Sequence, residues 1–216
     1  MRLQTILAFL LVTPVCLRAT RAEQPERTVE HNIVTSLRDP KVQIRLPASA
    51  TYCGADRWVL FDIADCELHA FIEPDPDKNV HRLYWIQFEQ YLASKPDLHH
   101  QYDSPRHARI GGEDFYVDTE IGSFDNKPKF GSDGEHIRAM IAARGYKWPR
   151  DFMYVRFVHL LDKAKRKELM IIYAEDLSAT GFSAADLREG GRVHNAWSNL
   201  EEELIERARQ AIEVTF

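Results

Sequence analysis

Apolar and polar positions alternate through most of the middle of the chain, and that period of two predicts strands. Val42-Gln43-Ile44-Arg45-Leu46 alternates cleanly. Arg57 to Ile63 and Glu67 to Ile72 read as one interrupted strand or two short ones, closed by the turn Pro74-Asp75-Pro76-Asp77. Val80 to Leu92 is the longest candidate, His107 to Asp118 follows a polar loop over 95–106, and 120–131 is a second loop. Phe152 to Leu161 and Glu168 to Ala174 flank the basic run Lys163-Ala164-Lys165-Arg166-Lys167, which reads as the solvated tip of a hairpin. Residues 23–40 are polar and are expected to be loose.

Helical periodicity is confined to three places. Ser132-Asp133-Gly134-Glu135 has capping-box spacing, with Ile137, Met140 and Ile141 on one face and Gly145 as the stop. Ser183 and Asp186 cap a short helix ending at Gly190-Gly191. Ser198 to Glu201 caps a C-terminal amphipathic helix whose apolar face is Leu200, Leu204, Ile205, Ala208 and Ile212. Runs of strands with few intervening helices predict an α+β fold, a mainly antiparallel sheet with two or three helices packed on one face. The expected organisation is a cleaved signal peptide over 1–22, a loose segment over 23–40 and a single domain over 41–216.

The signal peptide follows from the N-terminus. Arg2 supplies a positive start, residues 6–17 are mainly apolar, and Thr20-Arg21-Ala22 places small residues at the cleavage positions. That apolar stretch is too short to span a bilayer, which needs ~20 residues. A lipid anchor on Cys16 is disfavoured because Thr13, Pro14 and Val15 precede it instead of a small residue. The expected address is secreted or periplasmic, with no transmembrane anchor in the mature chain. Composition agrees with a globular protein: 216 residues, 44% hydrophobic, 28% charged. Removing 1–22 takes away three arginines and no acid, leaving 25 basic against 33 acidic residues and a charge of −8. An acidic surface is a poor match for nucleic acid.

Cys53 and Cys66 would sit in an oxidising compartment, where a pair commonly bonds. Bonding requires the chain to double back near 62–65, because a straight strand would hold the sulfurs ~25 Å apart.

Short motifs are less informative. Arg109-Ile110-Gly111-Gly112-Glu113-Asp114-Phe115 is similar over seven residues to the GGDEF signature of diguanylate cyclases, with the two acids reversed. A Gly-Gly turn entering a strand accounts for the same residues. Gly181-Phe182-Ser183-Ala184-Ala185 approaches a nucleophile elbow but ends in Ala, and the cap role explains Ser183. His99, His100, Asp103 and His107 share one polar loop and are the weak candidates for a metal, to which no site is assigned. No cofactor is expected.

The strand faces carry the best lead. Period two puts Tyr84, Ile86 and Phe88 on one side of the longest strand and Trp85, Gln87, Glu89 and Tyr91 on the other. Tyr116 with Asp118, and Tyr154 with Arg156, repeat this mixture of aromatic and polar groups. If these strands are neighbours, Trp85, Tyr91, Tyr116 and Tyr154 supply contact area, and Glu89, Asp118 and Arg156 orient polar groups, in a cleft for a small ligand or an envelope protein. The alternative is an ordinary solvent-facing side of the sheet, on which Arg156 and Glu89 form a structural cross-strand pair. The expected function is a non-catalytic binding module. The alternatives are an extracytoplasmic hydrolase using His159 or His69 with a carboxylate, and a structural subunit of an envelope assembly.

Overall fold

The computed structural model describes residues 24–216, so the signal-peptide segment lies outside the described residues. The fold is α+β and mostly antiparallel sheet. In chain order the strands are β1 (Thr28–Glu30), β2 (Ile33–Leu37), β3 (Lys41–Arg45), β4 (Thr51–Leu60), β5 (Ala64–Pro74), β6 (Val80–Tyr91), β7 (His107–Ile110), β8 (Glu113–Ser123), β9 (Asp151–Leu160), β10 (Lys167–Asp176) and β11 (Glu213–Thr215). The helices are α1 (Asp133–Ala143), α2 (Ala184–Leu187) and α3 (Trp197–Ala211). Seven strands form one antiparallel sheet in the order β4-β5-β6-β10-β9-β8-β7, and four form a second, β1-β2-β3-β11.

The smaller sheet contains the segment expected to be loose. Residues His31 and Asn32 both take positive φ, 48° and 59°, the backbone of a two-residue hairpin turn between β1 and β2. The Asn32 amide then donates to the carbonyls of Pro47 (2.8 Å) and Ala50 (2.7 Å), pinning the turn onto the following chain. Polarity alone hid this hairpin, because β1 and β2 bury only alternate residues such as Val34.

Two apolar layers flank the large sheet. One lies between the sheets and is closed by α3: Val34, Val42 and Ile44 meet Tyr84, Ile86, Phe88, Phe157 and Tyr173, with Leu204 and Ala208 of α3 completing the layer. Each large side chain buried there contributes roughly 1.5–3 kcal/mol. The opposite layer holds Leu68, Ala70, Trp85, Val158, Met170 and Ile172 against Ile137 and Ile141 of α1. The helices therefore cover both faces of the large sheet, and the central strands are buried on both sides. Leu169 to Ala174 is buried at every position as a result.

Some local expectations are corrected. Ser132 precedes α1, but its side chain makes no capping bond; the Glu135 carboxylate instead accepts from the Gly131 N–H at 2.6 Å. The last helix starts at Trp197 with Ala196 as its uncapped lead residue, because Glu201 is drawn away to Thr119 (2.6 Å) and Arg106. The Ser183–Asp186 capping box is formed as expected. Gly111 and Gly112 make the β7–β8 turn with φ of 62° and 92°.

Cys53 and Cys66 are buried free thiols, not a disulfide. The chain does double back at 61–63, but the register puts Cys66 opposite Trp58, and Gly54 opposite Ala70. Cys53 thus lies about four residues further along the ladder, ~13 Å away, beyond the ~7 Å a bridge allows. Burial pushes the Cys53 thiol up to about 11 and the Cys66 thiol well above its ordinary range.

Candidate functional site

Register brings the mixed strand positions to one face. Trp85 is opposite Ile172, Ile172 is opposite Arg156, and Arg156 is opposite Asp118. Tyr154 pairs with Glu120, and Tyr116 with Val158. All seven residues singled out for the mixed face therefore share the α1 side of the large sheet. They divide into two groups along the strands.

The first group, Trp85, Tyr154 and Arg156, borders a cleft of about 310 Å³ between the sheet and α1. Leu83, Met170, Ile172 and Ala174 form its apolar floor, Trp148 and Phe152 add aromatic walls, and Asp133, Ile137 and Arg138 of α1 close the far side. Gly122 permits this arrangement: it faces Phe152 across the β8–β9 ladder, and a Cβ there would lie 2.2 Å from the Phe152 ring. Helix α1 is held over the sheet by stacking of His136 on Trp58 (centroids 4.1 Å apart, planes 13°) and by His136 Nδ1 meeting Asp56 at 2.7 Å.

The polar groups around the cleft are incompletely paired. Arg156 donates one N–H to Asp118 at 2.7 Å and lies over the Tyr102 ring at 5.5 Å, but its Nε–H has no partner. Asp133 Oδ1 and Trp148 Nε1 are likewise shielded from water without a hydrogen bond. Burial raises the Asp133 pKa, with the neighbouring Gln87 amide and His136 offsetting part of the effect. Tyr154 bonds Glu120, so its hydroxyl is engaged outside the cleft. The expected Arg156–Glu89 pair is not formed, because Asp118 is opposite Arg156 while Glu89 is opposite Glu168 on β10.

The second group gathers around Glu89, four residues beyond Trp85 on β6. Glu89, His100 and Glu168 each offer one atom to a cluster in which all three atoms lie within 4.8 Å of one another. His100 Nδ1 meets Glu168 Oε2 at 3.0 Å, the Tyr102 hydroxyl donates to the same oxygen at 2.7 Å, and Cys66 Sγ lies 3.4 Å from Glu89 Oε2. Burial, together with the charges of Glu168 and Asp133, pushes Glu89 up to about 7. Burial alone would lower His100, but the Glu168 bond and the two glutamate charges raise it above the ordinary histidine value. Tyr91 packs on the His100 ring at 4.5 Å, and Tyr116 lies between Tyr102 (5.6 Å) and His107 (4.7 Å).

The loop histidines do not assemble as a group. His99 bonds Gln101 on the surface, Asp103 is exposed, and His107 pairs with Asp114 at 2.8 Å. Only His100 turns inward. His69 is enclosed at 1% exposure between Tyr52 (3.2 Å) and Glu67 (2.9 Å), and His159 Nδ1 meets the Asp114 carbonyl at 2.9 Å. Neither borders the cleft.

Sequence reasoning missed Asp133, Arg138 and Trp148, because nothing local tells which sheet face α1 covers. It also passed over Glu168 and Tyr102, whose partners lie 79 and 66 residues away. Among the described residues no helix is long and apolar enough to cross a membrane. Comparison with known protein families, with curated proteins and with solved structures finds no match to this chain.

Proposed function

We propose that this is an exported, non-catalytic module that binds a small, largely apolar ligand between α1 and the large sheet. Export rests on the N-terminal pattern of positive start, short apolar core and small-residue exit. The binding reading rests on one observation. Of five buried side-chain polar atoms without a partner among the described residues, three belong to cleft-lining residues: Asp133 Oδ1, Trp148 Nε1 and Arg156 Nε. Each such orphan costs about 1–3 kcal/mol, a cost that a ligand bearing matching groups would relieve after a small side-chain adjustment. The ligand that fits has an aromatic or aliphatic body for the floor, an acceptor for the Arg156 and Trp148 N–H groups, and a donor for Asp133. Pockets of this size, apolar with a few convergent polar groups, suit small molecules.

The test has two arms. Native mass spectrometry of the protein purified from its source should show retained small-molecule mass. Anilinonaphthalene sulfonate, which offers aromatic rings and an anionic acceptor, should bind with enhanced fluorescence. Arg156→Ala and Trp148→Ala should each weaken that probe about tenfold, equivalent to roughly 1.4 kcal/mol. Binding that is unchanged in both variants would remove the cleft as the site.

A further inference from the structure

We propose that Glu89, His100 and Glu168 bind one divalent transition-metal ion, with Zn²⁺ the best match to the donor set. Two carboxylates and one imidazole, the donors present here, are hard-to-borderline ligands suited to zinc. Their ligand atoms lie within 4.8 Å of one another. An ion bonded at ~2.0–2.1 Å wants ligand atoms about 3.3 Å apart, so side-chain rotations of under about 2 Å complete the site.

Two independent observations point to a cation rather than to a packed polar cluster. The first is charge. Glu89 and Glu168 face each other directly across β6 and β10, with Glu168 only 3% exposed. Among the described residues, neither has a lysine or arginine ion pair within 4.0 Å, and the basic side chain paired with Glu168 is His100, at 3.0 Å. Like carboxylates held side by side, Glu168 buried and Glu89 half-buried, repel, and a divalent ion removes that repulsion. The second is placement. His100 is 5% exposed and turns Nδ1 to Glu168 Oε2 at 3.0 Å, so a buried imidazole nitrogen stands at the two carboxylates.

The surroundings have the rigidity that a metal centre needs. Both glutamates stand on central strands. The His100 backbone N–H donates to the Lys165 carbonyl at 2.7 Å, and Tyr91 packs on its ring. Tyr102 orients the Glu168 carboxylate through its 2.7 Å bond, the outer-shell support that metal ligands usually have. Three protein ligands leave a fourth position open, the pattern of zinc sites that accept water or a further ligand.

The experiment is calorimetric titration of chelator-stripped protein with Zn²⁺. Wild type should take up one ion per chain. Glu168→Gln and His100→Ala should each weaken binding about a hundredfold, whereas His99→Ala and His107→Ala should not. Zinc K-edge absorption of the loaded wild-type protein needs no variant and should show a nitrogen and oxygen shell containing one imidazole. Absence of binding, binding unaffected by Glu168→Gln and His100→Ala, or a shell with two or more imidazoles would overturn the proposal. None of these residues borders the cleft, so the cation site and the cleft stand or fall separately.

Discussion

Glu67 shows how a single buried charge is tolerated here and what it does to pH stability. Its carboxylate is 2% exposed and accepts from the backbone N–H groups of Glu26 and Arg27, both at 2.8 Å, and from the Arg27 guanidinium at 3.0 Å; His69 Nε2 lies 2.9 Å away. Burial would raise its pKa, but these bonds and the Arg27 charge outweigh it and hold the group at about 2. The folded value is below the unfolded one, so the unfolded chain takes up the proton first as the solution is acidified. Glu67 therefore stabilises the fold fully above about pH 4.5 and loses that contribution as pH falls through 2, a change of about 3 kcal/mol. Urea titrations of wild type and Glu67→Gln at pH 6 and pH 2.5 measure it. The variant should be less stable at pH 6 and should lose less on acidification. Equal losses in the two proteins would show that Glu67 carries no such linkage. His69, a catalytic candidate by sequence, belongs to this same closed network, which gives its burial a structural cause.

Elements, unlike residues, depend on contacts made far along the chain, and this sets what the sequence could reveal. Period two separated Tyr84, Ile86 and Phe88 from Trp85, Gln87 and Glu89, and those two sets do occupy opposite faces of β6. The same reasoning grouped Tyr116 with Asp118 and Tyr154 with Arg156, because alternation within each strand is local, and the ladder then sets both pairs on the Trp85 side. Register between strands is not local. That β10 joins β6 to β9, and so sets Glu89 against Glu168 rather than Arg156, depends on a pairing across about eighty residues. The basic hairpin tip is a similar case. Its lysines 163 and 165 are exposed, but Arg166 turns back and donates to the carbonyls of Lys95, Pro96 and Leu98 at 2.7–2.8 Å, and of Tyr91 and Leu92 at 3.3 and 2.9 Å. Charge pattern identifies a tip; it does not identify a clamp. Lysine lacks the planar fork that reaches five carbonyls at once. Arg166→Lys should therefore cost about 1–2 kcal/mol and speed amide hydrogen exchange over residues 92–100, with little change in α3. Exchange mass spectrometry resolves this, and an unaltered 92–100 segment would mean that the loop is held by its other contacts alone.

At the scale of the whole molecule, the two faces of the large sheet have separate duties. The face toward the small sheet is a mainly apolar layer, with the Glu67–His69–Arg27 network buried at its β5 side, closed by β2 and β3 and by β11 and α3. The cleft and the carboxylate cluster lie on the other face. A division of this kind predicts that damage to the first layer lowers stability without altering the second. Deleting residues 213–216 is the direct trial. It removes the β11 ladder on β3, the burial of Val214 at 7% exposure, and the packing of Phe216 on Phe115 and His159. Loss of the valine alone is worth roughly 1.5–3 kcal/mol, and the exposed edge of β3 adds to it. At 2–4 °C per kcal/mol for a chain of this size, Tm should fall by about 5–12 °C in a thermal scan. The truncated protein, examined well below that Tm, should still bind anilinonaphthalene sulfonate and Zn²⁺ as wild type does. The strands between the layers are shared, however, and Ile171 and Ile172 are consecutive residues of β10 that face opposite layers. If removing β11 abolished both binding activities while the large sheet stayed folded, the central strands would be transmitting strain between the layers. The termini would then be part of the device that shapes the cleft rather than only the closure of a core.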